Sequence, residues 1–341
     1  MVTSSTFSAD VLRPLVAGTD LERAAARDAL SEVLAGRVDP VLVAGFLTAL
    51  TIKGETADEM TGFIDAMIGA ATTFSIGPDV MDIVGTGGDH LDTVNVSTMA
   101  ALAVAGCGVR VAKHGNRAAS SSVGSADVLE ALGVRLDAPA EVVTNCVREA
   151  GIGFLFAPTF HHALGGLTPI RRALGFRTIF NVLGPLANPA LVERTLVGVA
   201  QARLLEPMSH VLQARGIVHG ILVHADDGLD ELSLGSMCTL YTVTPSQILD
   251  RRVDAGHILS RHHGPENLRG GDAAANVAAV RSFVAGDLGA VHDVACANAG
   301  LALIVAGRAT TLQQGFDQAT ASVLEGRAAT ALERLIEVSN S

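Results

Sequence analysis

The hydrophobic positions of the first 70 residues fall into three apolar stretches that are typical of helices. The stretch "LERAAARDALSEVLAG" follows Asp20 and ends at Gly36, and the stretch "PVLVAGFLTALTIKG" ends at Gly54, which are helix start and stop signals. In the third stretch, "TADEMTGFIDAMIGAAT", Thr56 stands at the N-cap position with acidic residues behind it, where they favour the helix N-terminus. Because no strand pattern interrupts them, these stretches predict a small helical domain.

From Val80 onwards, short β-type runs alternate with helical stretches. The β-type runs are "VMDIV", "GVRVAKHG", "GIGFLFAP", "TIFNVLGP", "RTLVGVA" and "GIVHGILVHA". Such alternation predicts a mainly parallel central sheet that is covered by helices. We therefore expect an α/β protein in which a small N-terminal helical domain, residues 1–75, precedes a larger α/β domain, residues 76–341. A later segment of the chain could complete the helical domain.

Composition and charge narrow the range of functions. The 341 residues include 24 Lys and Arg against 35 Asp and Glu, which gives a formal net charge of −11 and argues against nucleic-acid binding. The mean hydropathy is +0.39, but no apolar run reaches the roughly 20 residues of a membrane span. The N-terminus lacks a secretory signal and the four cysteines are scattered. We therefore expect a reduced cytoplasmic protein with no membrane contact, no disulfide framework and no zinc site.

A glycine-rich loop follows the first β-type run, with the sequence Gly85-Thr86-Gly87-Gly88-Asp89. Glycines allow positive φ angles, so successive backbone N–H groups can point at one anion. The next helix begins near Asn95, and its positive dipole end also favours a phosphate group. Neither dinucleotide-binding nor P-loop spacing fits this stretch. The loop predicts a phosphate or diphosphate site, with a simple tight strand–helix turn as the alternative.

A second polar loop, Lys113 to Ser125, follows the strand-like run "GVRVA". Because loops at the carboxyl ends of parallel strands share one edge of the sheet, we expect both loops to meet in one crevice. One Lys, one Arg and several hydroxyl groups are suited to a phosphorylated ligand. Asp127, just inside the next helix, is interpreted as favouring that helix N-terminus rather than as a chemical group.

An acidic turn closes the run "GIVHGILVHA" and contains four carboxylates within six residues, from Asp226 to Glu231. Mg²⁺ typically takes one or two carboxylates and completes its shell with water and phosphate oxygens. Beside a polyphosphate loop, this turn therefore predicts a Mg²⁺ site, with a plain acidic turn as the alternative.

Arginines stand ahead of the run "TIFNVLGP", which we interpret as a strand. Arg171 could grip a carboxylate with two hydrogen bonds, whereas Arg172 and Arg177 are interpreted as surface charge. No nucleophile arrangement is visible, and His161 and His162 lack the spacing of a zinc site. These observations predict a reaction that runs by positioning and charge, in which a diphosphate leaves under metal shielding.

Four ordered motifs, "GTGGD…TVNVST", "KHGNRAASSSVGSADVLEALG", "RTIFNVLGPLANPA" and "DGLDELS", resemble those of the anthranilate phosphoribosyltransferase family. The resemblance runs from about residue 10 to 335. It implies a helical domain beside an α/β domain, a homodimer, and a site for phosphoribosyl diphosphate (PRPP) at the hinge. It also implies attack of the anthranilate amine on C1 of the ribose through an oxocarbenium-like transition state, with no dedicated nucleophile or base.

The resemblance also implies which residues bind each substrate. The PRPP set is Gly85, Gly88, Asp89, Thr93, Asn95, Val96, Ser97, Thr98, Lys113, His114, Gly115, Asn116, Arg117, Ala118, Ala119, Ser120, Ser121 and Ser125. Anthranilate would contact Gly85, His114, Asn116 and Arg171. Mg²⁺ would be held by Ser97, Asp230 and Glu231.

Two departures from the family pattern leave alternatives for the acceptor. His90 stands where the family usually has Gly, and the segment His161 to Gly166 replaces a pattern close to H-P-A-M-[KR]-H. One alternative is therefore a transferase of the same fold that acts on a different aromatic or heteroaromatic acid. A pyrimidine nucleoside phosphorylase is disfavoured by the Asp230–Glu231 pair, and a non-enzymatic paralogue is disfavoured by the intact PRPP motifs and the acidic charge.

Overall fold

The computed structural model describes residues 4–118 and 123–341. Its N-terminal part is helical: a π-helical segment, Ser8–Leu12, joins the first two of five α-helices. These are α1 (Ser4–Phe7), α2 (Arg13–Val16), α3 (Arg23–Leu34), α4 (Pro40–Lys53) and α5 (Ala57–Gly69). The three stretches that the sequence predicts as helices are confirmed as α3, α4 and α5.

A seven-stranded sheet follows in the order β3-β2-β1-β4-β5-β6-β7. The pairs from β3 to β5 are parallel, and β6 and β7 add an antiparallel edge. The fold class is thereby confirmed as a helical domain with a mainly parallel α/β domain. The strands are β1 (Val80–Gly85), β2 (Arg110–Gly115), β3 (Ile152–Phe156), β4 (Arg194–Gly198), β5 (His219–Ala225), β6 (Cys238–Val243) and β7 (Ile248–Val253).

Helices cover both faces of this sheet. They are α6 (Val96–Gly106), α7 (Ser125–Ala131), α8 (Ala140–Glu149), α9 (Ala157–Phe160), α10 (Thr168–Leu174), α11 (Phe180–Leu183), α12 (Leu205–Ala214), α13 (Ala255–Leu259), α14 (Ala273–Val284), α15 (Ala290–Val305), α16 (Leu312–Leu324) and α17 (Arg327–Ser339). Short 3₁₀ segments occur at His162–Leu167, Gly184–Leu186, Ala202–Leu204 and Pro265–Leu268. Helix α6 is buried along almost its whole length, so the apolar core of the larger domain forms around it.

The core of the helical domain continues into the later chain. Phe46 of α4 packs edge-on against Phe7 and Phe63, with ring centroids 5.7 and 5.8 Å apart. The same apolar cluster contains Phe180 of α11 and Met208 of α12. A later segment thus packs with the first helices, and the division at residues 75 and 76 stays a prediction.

Two sequence-based expectations about strands differ from the structure. The run "TIFNVLGP" forms helix α11 and a 3₁₀ turn. Its Asn181 side chain accepts a hydrogen bond from the N–H of Thr178 at 3.0 Å, which closes a local turn instead of extending the chain. The hairpin of β6 and β7 was not among the expected strands, because the exposed charged residues of β7 mask its apolar alternation.

Candidate active site

A cleft with a volume of about 310 Å³ opens at the carboxyl ends of β1 and β2, where parallel strands place their following loops together. Both polar loops and the acidic turn meet there, as the sequence predicts. The expected residues that line the cleft are Gly85, Gly88, Asp89, Thr93, Asn95, Val96, Ser97, Lys113, His114, Gly115, Asn116, Arg117, Ala118, Ser125, Arg171, Asp230 and Glu231.

The remaining expected residues are not in this lining. Thr98 is buried on α6 behind the cleft wall, and its Oγ1 has no hydrogen-bond partner within the described chain. Ala119, Ser120 and Ser121 lie outside the described residues. The chain on either side of them is held by Asp127, whose Oδ2 accepts hydrogen bonds from the N–H groups of Ala118 at 3.1 Å and Gly124 at 2.9 Å.

The glycine loop packs tightly against the acidic turn. The N–H of Gly87 donates to Oδ2 of Asp230 at 2.7 Å. A Cβ at Gly85 would lie 2.6 Å from the same oxygen, so only glycine lets the turn approach this closely. The loop and the carboxylates therefore form one continuous wall of the cleft.

The carboxylates of this wall carry excess negative charge. Burial, together with the charge of Asp89, raises the pKa of Asp230 to about 6. Burial and the neighbouring Asp230 raise the pKa of Glu231 well above its usual value, against the opposing charge of Lys113. Because buried neighbouring carboxylates repel each other, such a site favours either protonation of a carboxylate or the binding of a cation.

The oxygen donors fit Mg²⁺ only when a ligand shares the coordination. Across residues 4–118 and 123–341, no group of three or more His, Cys, Asp or Glu side chains is arranged to hold a metal ion. Two carboxylates beside a hydroxyl are nevertheless the usual protein share of a Mg²⁺ site, which takes its other oxygens from water and phosphate. The residues present therefore fit a Mg²⁺ ion bound together with a polyphosphate.

Lys113 lies under the cleft floor and is only 2% exposed. Its Nζ donates to the carbonyl oxygen of Ile83 at 2.7 Å and to Oγ of Ser97 at 3.1 Å. Burial lowers its pKa, and the charges of Asp82 and Glu231 oppose that shift. This lysine fixes the hydroxyl of Ser97 beside the acidic turn.

His114 lies buried in the wall of the cleft and stays neutral. Burial lowers its pKa to about 3. Its Nδ1 lies 3.2 Å from the carbonyl oxygen of Gly184, and because a carbonyl only accepts, Nδ1 carries the proton. Its Nε2, which has no partner among residues 4–118 and 123–341, is then a hydrogen-bond acceptor.

Arg171 projects into the cleft from helix α10, whereas the sequence pattern suggested that it precedes a strand. Its guanidinium lies 5.6 Å from the centroid of the Phe180 ring, and its Nη2 donates to Oδ1 of Asn181 at 3.5 Å. Burial lowers its pKa, and no ion pair ties it to a carboxylate in the described part of the chain. The guanidinium is thus placed to bind a carboxylate ligand.

The side chain of Arg117, a residue of the cleft lining, is engaged by two carboxylates of α7. Its guanidinium pairs with Asp127 at 2.9 Å and with Glu130 at 2.7 Å on the exposed side of α7. Those two carboxylates raise its pKa through hydrogen bonds. In this structure the charge of Arg117 therefore ties the second polar loop to α7 and is not directed at a ligand in the cleft.

Several residues near the ligand space escape reasoning from the sequence. Asn276 of α14 accepts hydrogen bonds from the backbone N–H and the side chain of Asn95, at 3.2 and 3.1 Å. The interpretation of Arg177 as surface charge is wrong, because its Nη2 donates to the carbonyl oxygens of Thr86 and Gly87. No local pattern marks these residues, since their partners lie 90 or more positions away in the chain.

Comparisons with known proteins agree with this architecture. Residues 77–329 match the α/β domain of a glycosyl transferase family, and residues 9–71 match its helical bundle domain. A relative from Chelativorans sp., named anthranilate phosphoribosyltransferase, is 44% identical over 326 residues, covering 96% of this chain and 96% of that protein. The chain belongs to the anthranilate phosphoribosyltransferase family. The resemblance of its sequence motifs is thereby confirmed.

Solved structures of the anthranilate phosphoribosyltransferase family share the fold over the whole chain. That of Thermus thermophilus superposes with a TM-score of 0.90 at 39% identity, covering 97% of this chain and all of the other. The enzyme from Saccharomyces cerevisiae in complex with PRPP and Mg superposes with a TM-score of 0.91 at 24% identity, covering 99% of each chain. The likeness to the yeast protein shows the fold alone.

Proposed function

We propose that this protein transfers the phosphoribosyl group of PRPP to the amine of anthranilate, giving N-(5-phosphoribosyl)anthranilate and diphosphate in tryptophan biosynthesis. One observation carries the proposal: a glycine loop, paired carboxylates and the partly buried Arg171 line one and the same cleft. The names of relatives that cover nearly the whole chain support the same reaction.

The PRPP half comprises the glycine loop, the start of α6 and the second polar loop. Backbone N–H groups and the α6 dipole favour the phosphate groups, and Lys113 adds positive charge beneath them. We propose that the cleft residues from Gly85 to Ser125 that are given above as the PRPP set bind this substrate. Ala119 to Ser121 belong to that set on sequence grounds alone, and Thr98 would act through the packing of α6.

Mg²⁺ is the metal that we propose for this site, held by Ser97, Asp230 and Glu231. The excess negative charge of the acidic turn and its oxygen donors support this assignment, as does the yeast structure with PRPP and Mg. When bound, the ion would neutralise charge on the diphosphate as it leaves. The hydrogen bond from Gly87 to Asp230 keeps one carboxylate oriented toward the glycine loop.

The acceptor half would bind anthranilate through its two polar groups. Arg171 would pair with the carboxylate, and the neutral ring of His114, whose Nε2 is buried from solvent, would line the space beside it. Asn116 and Gly85 complete this wall of the cleft. The amine needs no strong general base, because it becomes acidic as the new bond to C1 forms. The rate would come from positioning and from the charge around the leaving group.

A homodimer in the cytoplasm is the state that we propose for this enzyme. The family resemblance supports a dimer, and the helical domain exposes Val16, Val41 and Ile52 at 72, 78 and 81% of their surfaces. Four free cysteines support a reducing compartment. In residues 4–118 and 123–341, the helices are too short or too polar to span a membrane. Light scattering with a Val41→Glu variant would test the interface.

The test of the reaction is to follow anthranilate fluorescence with PRPP and Mg²⁺ present and with each omitted in turn. Consumption that requires both would support the proposal. A panel of aromatic and heteroaromatic acids tests the acceptor, since the segment from His161 to Gly166 departs from the family pattern. A higher specificity constant for another acid would overturn the assignment to anthranilate, and cleavage of nucleosides by phosphate alone would overturn the reaction class.

A further inference from the structure

Arg177 packs into the backbone of the glycine loop from the segment between α10 and α11. Its Nη2 donates to the carbonyl oxygen of Thr86 at 3.2 Å and to that of Gly87 at 2.9 Å. Its Nη1 lies so close to Gly88 that a Cβ at this position would overlap it. The guanidinium is half-buried, and burial lowers its pKa against the charges of Asp230 and Asp89.

The peptide at Gly87 is consequently held from both sides. Its N–H donates to Asp230 at 2.7 Å, while its carbonyl oxygen accepts from Arg177. Thr86 is anchored further, because its N–H donates to Gly198 at 2.9 Å and its Oγ1 accepts from Ala200 at 3.0 Å. Carbonyl oxygens that are engaged by a guanidinium stay turned toward it, so they cannot rotate toward an anionic ligand in the cleft.

Helix α10, which directly precedes the segment that carries Arg177, carries Arg171, the arginine proposed to bind the acceptor. Oδ1 of Asn181 accepts from the N–H of Thr178 at 3.0 Å and from Nη2 of Arg171 at 3.5 Å. A shift of the glycine loop that displaces Arg177 would therefore reach Arg171 through Thr178 and Asn181. These contacts form one continuous path between the two halves of the cleft.

We propose that Arg177 is a positioning residue that couples the glycine loop to the acceptor-binding segment. Ordering of the loop by PRPP then favours the placement of Arg171, so that the two substrates bind with positive cooperativity. The proposal rests on the proposed function, since it takes the glycine loop as the PRPP site. Nη2 alone donates to both carbonyl oxygens, and the rigid guanidinium plane holds its two N–H groups in that orientation. The ammonium of a lysine is a compact, strongly hydrated charge on a flexible chain, so it is not held there in the same way.

The test compares Arg177→Gln and Arg177→Lys with the matched control Arg172→Gln, which changes an exposed arginine of the neighbouring helix α10. Calorimetry measures PRPP binding with Mg²⁺ and without acceptor, and steady-state kinetics measure the KM for anthranilate at low and at saturating PRPP. We expect both Arg177 variants to bind PRPP about tenfold more weakly, as for loss of hydrogen bonds from a charged group. We expect PRPP to lower the KM for anthranilate in the wild type and in the control, and we expect this effect to be lost in the Arg177 variants.

Two results would overturn the proposal. Wild-type PRPP affinity in Arg177→Lys would mean that charge alone acts on the diphosphate. Unchanged coupling between the substrates in Arg177→Gln would remove the path to Arg171. Added methylguanidinium should restore PRPP binding to Arg177→Ala, and absence of this rescue in a variant that melts like the wild type also counts against the role. Failure of the proposed function is separate, because it would appear as wild-type protein that binds PRPP without consuming anthranilate.

Discussion

Arg171 is a partly buried cation whose nearest partners are an amide oxygen and an aromatic ring. Replacement by alanine should weaken acceptor binding by about 2–5 kcal/mol if the guanidinium pairs with a buried carboxylate. PRPP binding should stay unchanged, because the glycine loop does not contact this side chain directly. Steady-state KM values for anthranilate and calorimetric titrations of PRPP measure the two effects separately.

The matched control for this substitution is Arg172→Ala, which removes an exposed charge from the same helix. The control should leave both measurements at their wild-type values. An unchanged acceptor KM in Arg171→Ala would remove Arg171 from the acceptor site.

At this scale, the sequence identified residues whose chemistry is local. The cluster of glycines after β1 predicts a phosphate site, and the carboxylates after β5 predict a Mg²⁺ site. Each prediction rests on residues only a few positions apart. Reasoning from the sequence separates Arg171 from Arg177 but assigns Arg177 to the surface, and only the fold shows its contact with the glycine loop. The carbonyl partners of Arg177 belong to backbone 90 and 91 residues away, and any residue type could supply them.

Helix α5 begins with a complete capping box, in which Thr56 and Glu59 bond to each other's backbone N–H groups at 3.3 and 2.9 Å. Thr56→Ala should lower the free energy of unfolding by about 1 kcal/mol, because one N–H of the first turn loses its partner. Urea unfolding followed by circular dichroism measures this change. Thr56→Ser keeps the hydroxyl, so its free energy of unfolding should fall much less. An equal decrease in both variants would contradict a capping role.

The helices and strands that could be predicted are those whose sequence signals lie within the element itself. Thr56 has its own capping partner three residues later, and the parallel strands follow short apolar runs. The run "TIFNVLGP" is buried on α11, and a short buried run looks the same in a helix and in a strand. The side chain of Asn181 decides between them by closing a turn with Thr178, which depends on spatial arrangement rather than on hydrophobic pattern.

For the molecule as a whole, burial of neutral His114 predicts how stability depends on pH. Its pKa falls from 6.5 to about 3 on folding, so between these values the unfolded chain binds more protons. The contribution of His114 to stability therefore falls as the pH drops below 6.5. Compared with His114→Asn, the wild type should lose about 1–2 kcal/mol more between pH 6.5 and 5.

The comparison with the variant is needed because other groups act in the opposite direction. Burial raises the pKa of Asp82 and of Asp230 to about 6, so their contributions to stability are lost as the pH rises through that value. These contributions cancel in the difference between wild type and variant. Urea unfolding at several pH values measures this difference in the free energy of unfolding. If the free energies of wild type and variant change in parallel with pH, the pKa of His114 is not lowered by folding.

Because the helical domain shares an apolar cluster with α11 and α12, we expect the protein to unfold as one cooperative unit. Helix α5 packs against α12, and Met208 of α12 is fully buried in the cluster that contains Phe46 and Phe63. The first 75 residues alone would expose this face to water, so we expect the fragment to show no cooperative thermal transition. Met208→Ala in the full chain should destabilise the protein by about 2–5 kcal/mol through the cavity that it leaves. Calorimetry should then show one transition that moves as a whole, whereas a separate transition that stays at its wild-type temperature would mean that the helical part folds independently.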